Sequence, residues 1–106
     1  MNTKKILQEF KERLKAVYKD NLKEVILFGS MARNDFTEES DIDVLVVLGK
    51  MTSFDEEFNK IFEIELEVGR KYDDEVMISA LPVTEKDYHS RLTPLYLNIR
   101  KEGIPV

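Results

Sequence analysis

The stretch LFGSMARNDFTEESDIDVLVVL, residues 27–48, places a Gly29-Ser30 turn after one apolar segment and two aspartates, Asp41 and Asp43, at the mouth of another. Side chains alternate across a strand, so Ile42, Val44, Val46 and Leu48 share one face while Asp41, Asp43, Leu45 and Val47 share the other. The two carboxylates are therefore neighbours. Alternate Cα atoms lie about 6.5–7 Å apart, close enough for the oxygens to converge on one cation and to repel each other without it. Oxygen-only ligands of this kind suit Mg²⁺, which takes one or two carboxylates and completes its octahedron with waters and substrate phosphates. Upstream, Gly29 lets the backbone approach a ligand closely, a helical turn after it aims N–H groups at a phosphate, and Ser30 adds a hydroxyl donor. A phosphate cradle beside a carboxylate pair points to a metal-bound nucleoside triphosphate.

Outward from this stretch, Ile6, Leu7, Phe10, Leu14, Val17 and Tyr18 recur at three and four and predict an amphipathic helix over 3–18. EVILFG is a short buried strand ended by Gly29, followed by a brief helix or turn over 30–33 and a polar loop. DIDVLVVL is the second strand. SFDEEFNKIFEIELEVGRKY, residues 53–72, is a second long helix, capped by Ser53 with Glu56 three residues on. Phe54, Phe58, Ile61, Phe62 and Leu66 are its expected buried side, and Gly69 need not end it. EVMISALPV, residues 75–83, is a third strand, whose Pro82 marks an edge position or the strand's end. Thr84 starts a short capped helix, and Pro94 and Gly103 bracket another. The expected fold class is α/β (α+β): a small mixed sheet with helices packed mainly on one face, in a single domain over 1–106.

The 21 acidic and 16 basic residues give a net charge of −5, which argues against general affinity for nucleic acid or anionic lipid. With no cysteine, disulfides and thiolate zinc sites are excluded and a cytoplasmic location is expected. No segment has the length of a membrane span, and the charged N-terminus lacks the apolar core of a signal peptide.

GSMAR followed by SDIDVLV resembles the G-S-x-A-R-G and S-D-x-D-hydrophobic signature of the DNA polymerase β-like nucleotidyltransferases, and the chain's length is similar to their minimal (MNT) group. The resemblance implies that Gly29 and Ser30 hold the triphosphate of ATP and that Asp41 and Asp43 ligate Mg²⁺ in a two-metal site. Arg33 either assists the phosphates or braces the loop, and Ser40 orients the turn before the aspartates. The family's third carboxylate belongs on a later strand. Strand parity favours Glu75, or Asp73, over Asp74 for that position, and the resemblance then implies a catalytic and metal-binding role for Glu75, where the family uses aspartate. Asn34 stands in place of the family's glycine. By the same resemblance, the chain is expected to be an antitoxin that transfers AMP to a tyrosine of a helical HEPN-type toxin, in a homo- or hetero-oligomer. The rival readings are a small-molecule nucleotidyltransferase and a non-catalytic module that neutralises its partner by contact. His89 is read as a surface residue, Tyr72, Tyr88 and Tyr96 as half-buried packing, and the phenylalanines of the second long helix as core rather than a base-stacking platform.

Overall fold

Two amphipathic helices and a four-stranded sheet build the core of the computed structural model, which describes residues 3–33, 41–72 and 77–106. Helix α1, Thr3–Tyr18, buries Ile6, Leu7, Phe10, Leu14 and Tyr18. Val17 departs from the expected stripe and is exposed, because Tyr18, one position on, takes the place over the core. A single 3₁₀ turn, Lys19–Asn21, leads into β1, Leu22–Phe28. The four-residue helix α2, Ser30–Arg33, follows, and β2 spans Ile42–Leu48.

Helix α3, Phe54–Lys71, starts on Ser53, whose hydroxyl accepts from the Glu56 N–H, and it runs through Gly69 as expected. Strand β3, Ile78–Thr84, follows. Thr84 then caps α4, Glu85–Ser90, by accepting from Asp87 N–H, and α5, Pro94–Glu102, carries its proline in the first turn. A two-residue strand β4, Ile104–Pro105, closes the chain and was not legible in the sequence.

The strand order is β3-β2-β1-β4. β1 pairs antiparallel with β2 and with β4, while β2 and β3 run parallel across α3. The sheet is thus mixed, and β3 is an edge strand, as Pro82 suggested. Ile42, Val44, Val46 and Leu48 face the two long helices, in one cluster with Phe10, Leu14, Ile61 and Val68. On the opposite face Leu45 and Val47 pack with Ile26, Val83, Tyr88 and Ile99, under α4 and α5. The long helices share one face; the short ones close part of the other.

The expected buried side of α3 holds for Ile61 and is overturned for its other four residues. The buried side of α3 is Glu57, Ile61, Ile64, Val68 and Gly69, whereas Phe54, Phe58, Phe62 and Leu66 are 46%, 38%, 46% and 42% exposed. The aliphatic residues at 61, 64 and 68 dock between α1 and the sheet, which turns the i+4 ladder of aromatic rings to the flank. Those rings stack on one another, with centroids 5.8 Å apart for Phe54 and Phe58 and 6.5 Å for Phe58 and Phe62. Glu57 is tolerated inside because it accepts the Tyr18 hydroxyl at 3.2 Å and pairs with Lys60 at 3.4 Å.

Candidate active site

Strand register decides what surrounds Asp43. Antiparallel pairing sets it beside Phe28, the last residue of β1, and parallel pairing sets it beside Ser79 of β3. Phe28, Asp43 and Ser79 therefore form one row across the sheet, on the face opposite the long helices. Asp43 is half-buried at this edge of the core, and Asp41, just before β2, is exposed.

Gly29 ends β1 with φ +77°, in the left-handed region that glycine adopts without strain. A Cβ there would lie 2.5 Å from Asp43 Oδ2. The missing side chain is thus what lets the turn and the carboxylate meet. Past this turn the chain enters α2, held by a bond from Arg33 N–H to the Gly29 carbonyl at 3.2 Å.

Burial, first, and the neighbouring charge of Asp41, second, push the Asp43 carboxyl above its ordinary range, while Arg33 pulls it back. A carboxyl held above its ordinary range by burial and by a neighbouring acid, where a glycine leaves no Cβ beside it, has the donor chemistry of a hard-cation site. Mg²⁺ fits Asp41 and Asp43 on these grounds. Among the described residues no third acid, histidine or cysteine joins them. Glu75, Asp73, Asp74, Asn34 and Ser40 lie outside the described residues, as does the Ser30 side chain; the backbone of Ser30 opens α2.

Arg33 is exposed, with its guanidinium 3.9 Å from Glu102 of α5. Both line a hollow of about 200 Å³ that reaches Gly29 and Asn98. A second cavity, about 360 Å³, opens on the other side of Asp43, between the β3 edge and α3. Its walls include Phe58, Phe62, Leu66 and Ser79, and it contains Glu65. His89 is exposed, with Tyr88 buried beside it.

Sequence reasoning missed Glu65. Its Oε1 accepts the outward N–H of Ala80 on edge strand β3 at 2.8 Å. Burial raises this carboxyl to about 7, against the opposing effect of the Ala80 bond. The legible sign is an acid sharing the i+4 row of Glu57 and Ile61, the row that faces inward. The unfolded chain releases this proton near 4.5 and the folded chain holds it to about 7. Over that window the native state binds more protons, so Glu65 makes stability fall as pH rises. Glu65→Gln, which keeps an acceptor for Ala80, is expected to flatten that fall. Urea midpoints at pH 5 and pH 8 test this; an unchanged difference between the two pH values would reject it.

A glycine turn against a carboxylate that opens β2, on a mixed sheet backed by two helices, defines the nucleotidyltransferase class. The model of the nucleotidyltransferase domain family matches residues 3–104, and the chain belongs to that family. It is a nucleotidyltransferase. A Methanocaldococcus jannaschii protein named a putative protein adenylyltransferase is 36% identical over 104 residues, 97% of this chain and 96% of its own length. A chain of a toxin–antitoxin crystallised with AMP-PNP shares the fold at TM-score 0.62 and 20% identity, over 99% of this chain and 72% of that one. A chain from the complex of tri-AMPylated Shewanella oneidensis HEPN toxin with its MNT antitoxin aligns at TM-score 0.53 and 16% identity, over 94% of this chain and 70% of that one.

Among the described residues, no helix is long and apolar enough to cross a membrane.

Proposed function

We propose that this chain is an Mg²⁺-dependent protein adenylyltransferase that moves AMP from ATP to a tyrosine hydroxyl of a HEPN-type toxin and so acts as its antitoxin in the cytoplasm. The observation that carries the reading is the approach of Gly29 to the Asp43 carboxylate, which juxtaposes a phosphate turn and a cation ligand. The relative named for adenylyl transfer, and the fold shared with an antitoxin bound to an AMPylated HEPN toxin, support the donor and the acceptor.

In this reading Asp41 and Asp43 hold Mg²⁺, which when bound neutralises phosphate charge and aligns the reacting groups. Gly29 and the start of α2 receive the triphosphate, and Arg33, on the rim of the same hollow, contacts its phosphates. The acceptor oxygen bonds to the α-phosphorus as the bond to the bridging oxygen breaks, and pyrophosphate leaves. The hydroxyl proton passes to a carboxylate, the role proposed for Glu75, with Asp73 as the alternative.

The test is incubation with [α-³²P]ATP, Mg²⁺ and the HEPN-type protein of the same genome, beside an Asp41→Asn/Asp43→Asn control. Label on a tyrosine of the HEPN protein, lost in the control, is the expected result. A stable complex that still silences the toxin without any label would replace it with neutralisation by contact.

A further inference from the structure

The exposed row on α3 asks for a partner, because four large apolar side chains along one helix flank are costly to leave in water. Phe54, Phe58, Phe62 and Leu66 form it, and Met77, 65% exposed, lies at the far side of the same cavity. This row does not stop at the surface. Phe58, Phe62 and Leu66 line the 360 Å³ cavity together with Asp43 and Ser79. A surface that leads from exposed aromatic rings to the carboxylate proposed to hold the cation is a route for an acceptor side chain.

Charge indicates what that acceptor carries. On the solvent side of the aromatic row, the next i+4 row of α3 is Asp55, Asn59, Glu63 and Glu67, all exposed. Glu67 is engaged by Arg13 at 2.7 Å, while Asp55 and Glu63 extend the acidic border along the row. The chain as a whole is acidic, at −5. Small acidic or phosphate-rich ligands are disfavoured on such a border; a basic protein segment is favoured.

Resting on the reading of Asp43 as the reaction centre, we propose that the α3 flank is the docking face for the protein acceptor. The acceptor presents an apolar segment bordered by lysine or arginine, and its hydroxyl-bearing aromatic side chain enters the cavity between α3 and β3. Phe58 and Phe62 hold the ring of that side chain, and Asp55 and Glu63 orient the segment.

Calorimetric titration of the HEPN-type acceptor protein into this chain reads docking without turnover. KM values for the acceptor and for ATP then separate acceptor from nucleotide. Phe58→Ser/Phe62→Ser is expected to weaken acceptor binding at least tenfold and to raise the acceptor KM with it. Asp55→Lys/Glu63→Lys, on exposed positions with no part in the core, is expected to weaken binding severalfold and to remove its dependence on salt. Acceptor binding unaltered in both variants would overturn the proposal. So would a Phe58→Ser/Phe62→Ser variant whose ATP KM alone rises, which would make the cavity the nucleotide-base site. A wild-type dimer by sedimentation that the same variant converts to monomer, with acceptor binding intact, would assign the face to a second copy of the chain. Wild-type binding of the acceptor without label transfer would reject the proposed activity and leave the docking face standing.

Discussion

Asp43→Asn is expected to reduce nucleotide transfer by about 10³-fold or more, since a neutral amide gives up several kcal/mol of cation-assisted charge stabilisation. The same variant is expected to be as stable as the wild type, or more so. Asp43 is half-buried, its carboxyl is raised by burial and by Asp41, and Asn removes that charge with nearly the same shape. Activity and stability thus move in opposite directions, the pattern of a residue kept for chemistry at some expense to the fold. Single-turnover transfer rates beside urea midpoints check both halves. A variant that is inactive only because it is unfolded would count against the assignment, as would one that transfers at the wild-type rate.

The second large effect is expected at Gly29→Ala. Two costs are separable here. The backbone at φ +77° strains any L side chain, for about 1–2 kcal/mol of stability. The new methyl would also sit 2.5 Å from Asp43 Oδ2, the far end of a side chain that can rotate away. Rotation spares the fold and moves the carboxylate out of the site, so transfer should fall by about 100-fold or more, beyond what lost stability explains. Denaturant curves give the first cost; kcat/KM at a temperature where the variant remains folded gives the second. If the loss of activity vanished once the folded fraction was matched, the close contact would have no functional meaning.

Much of this was legible because the decisive pattern has a period of two. Once Asp43 is placed on a strand, Ile42, Val44, Val46 and Leu48 must lie on the other face, and they do. The caps Ser53 and Thr84 and the first-turn Pro94 act locally, so their positions could be read without the fold. Helix α3 is the instructive failure. It carries two candidate apolar stripes, one aromatic and one aliphatic, and hydrophobicity alone favours the rings. The docking of α1 selects Ile61, Ile64 and Val68 instead, a tertiary choice that no local pattern encodes. Strand β4 escaped for a different reason: two residues, one of them a proline, leave no periodicity to detect. Glu65 was invisible as a site residue because its partner, the Ala80 N–H, is fifteen positions away and becomes free only where β3 is an edge.

That edge has a consequence for how the molecule meets other chains. Ala80 donates outward to Glu65 rather than into the sheet, so the alternation of β3 turns the backbone groups of Ile78, Ala80 and Pro82 toward the open edge. One of those three positions has its N–H occupied by a carboxylate, and another, Pro82, has none to offer. At the opposite margin, Val106 donates to Val25 at 2.9 Å and Pro105 occupies the outward position. Each border of the sheet is thereby blunted in part against templating a further strand, the step by which open sheets polymerise. A chain that exposes a row of phenylalanines gains from this arrangement.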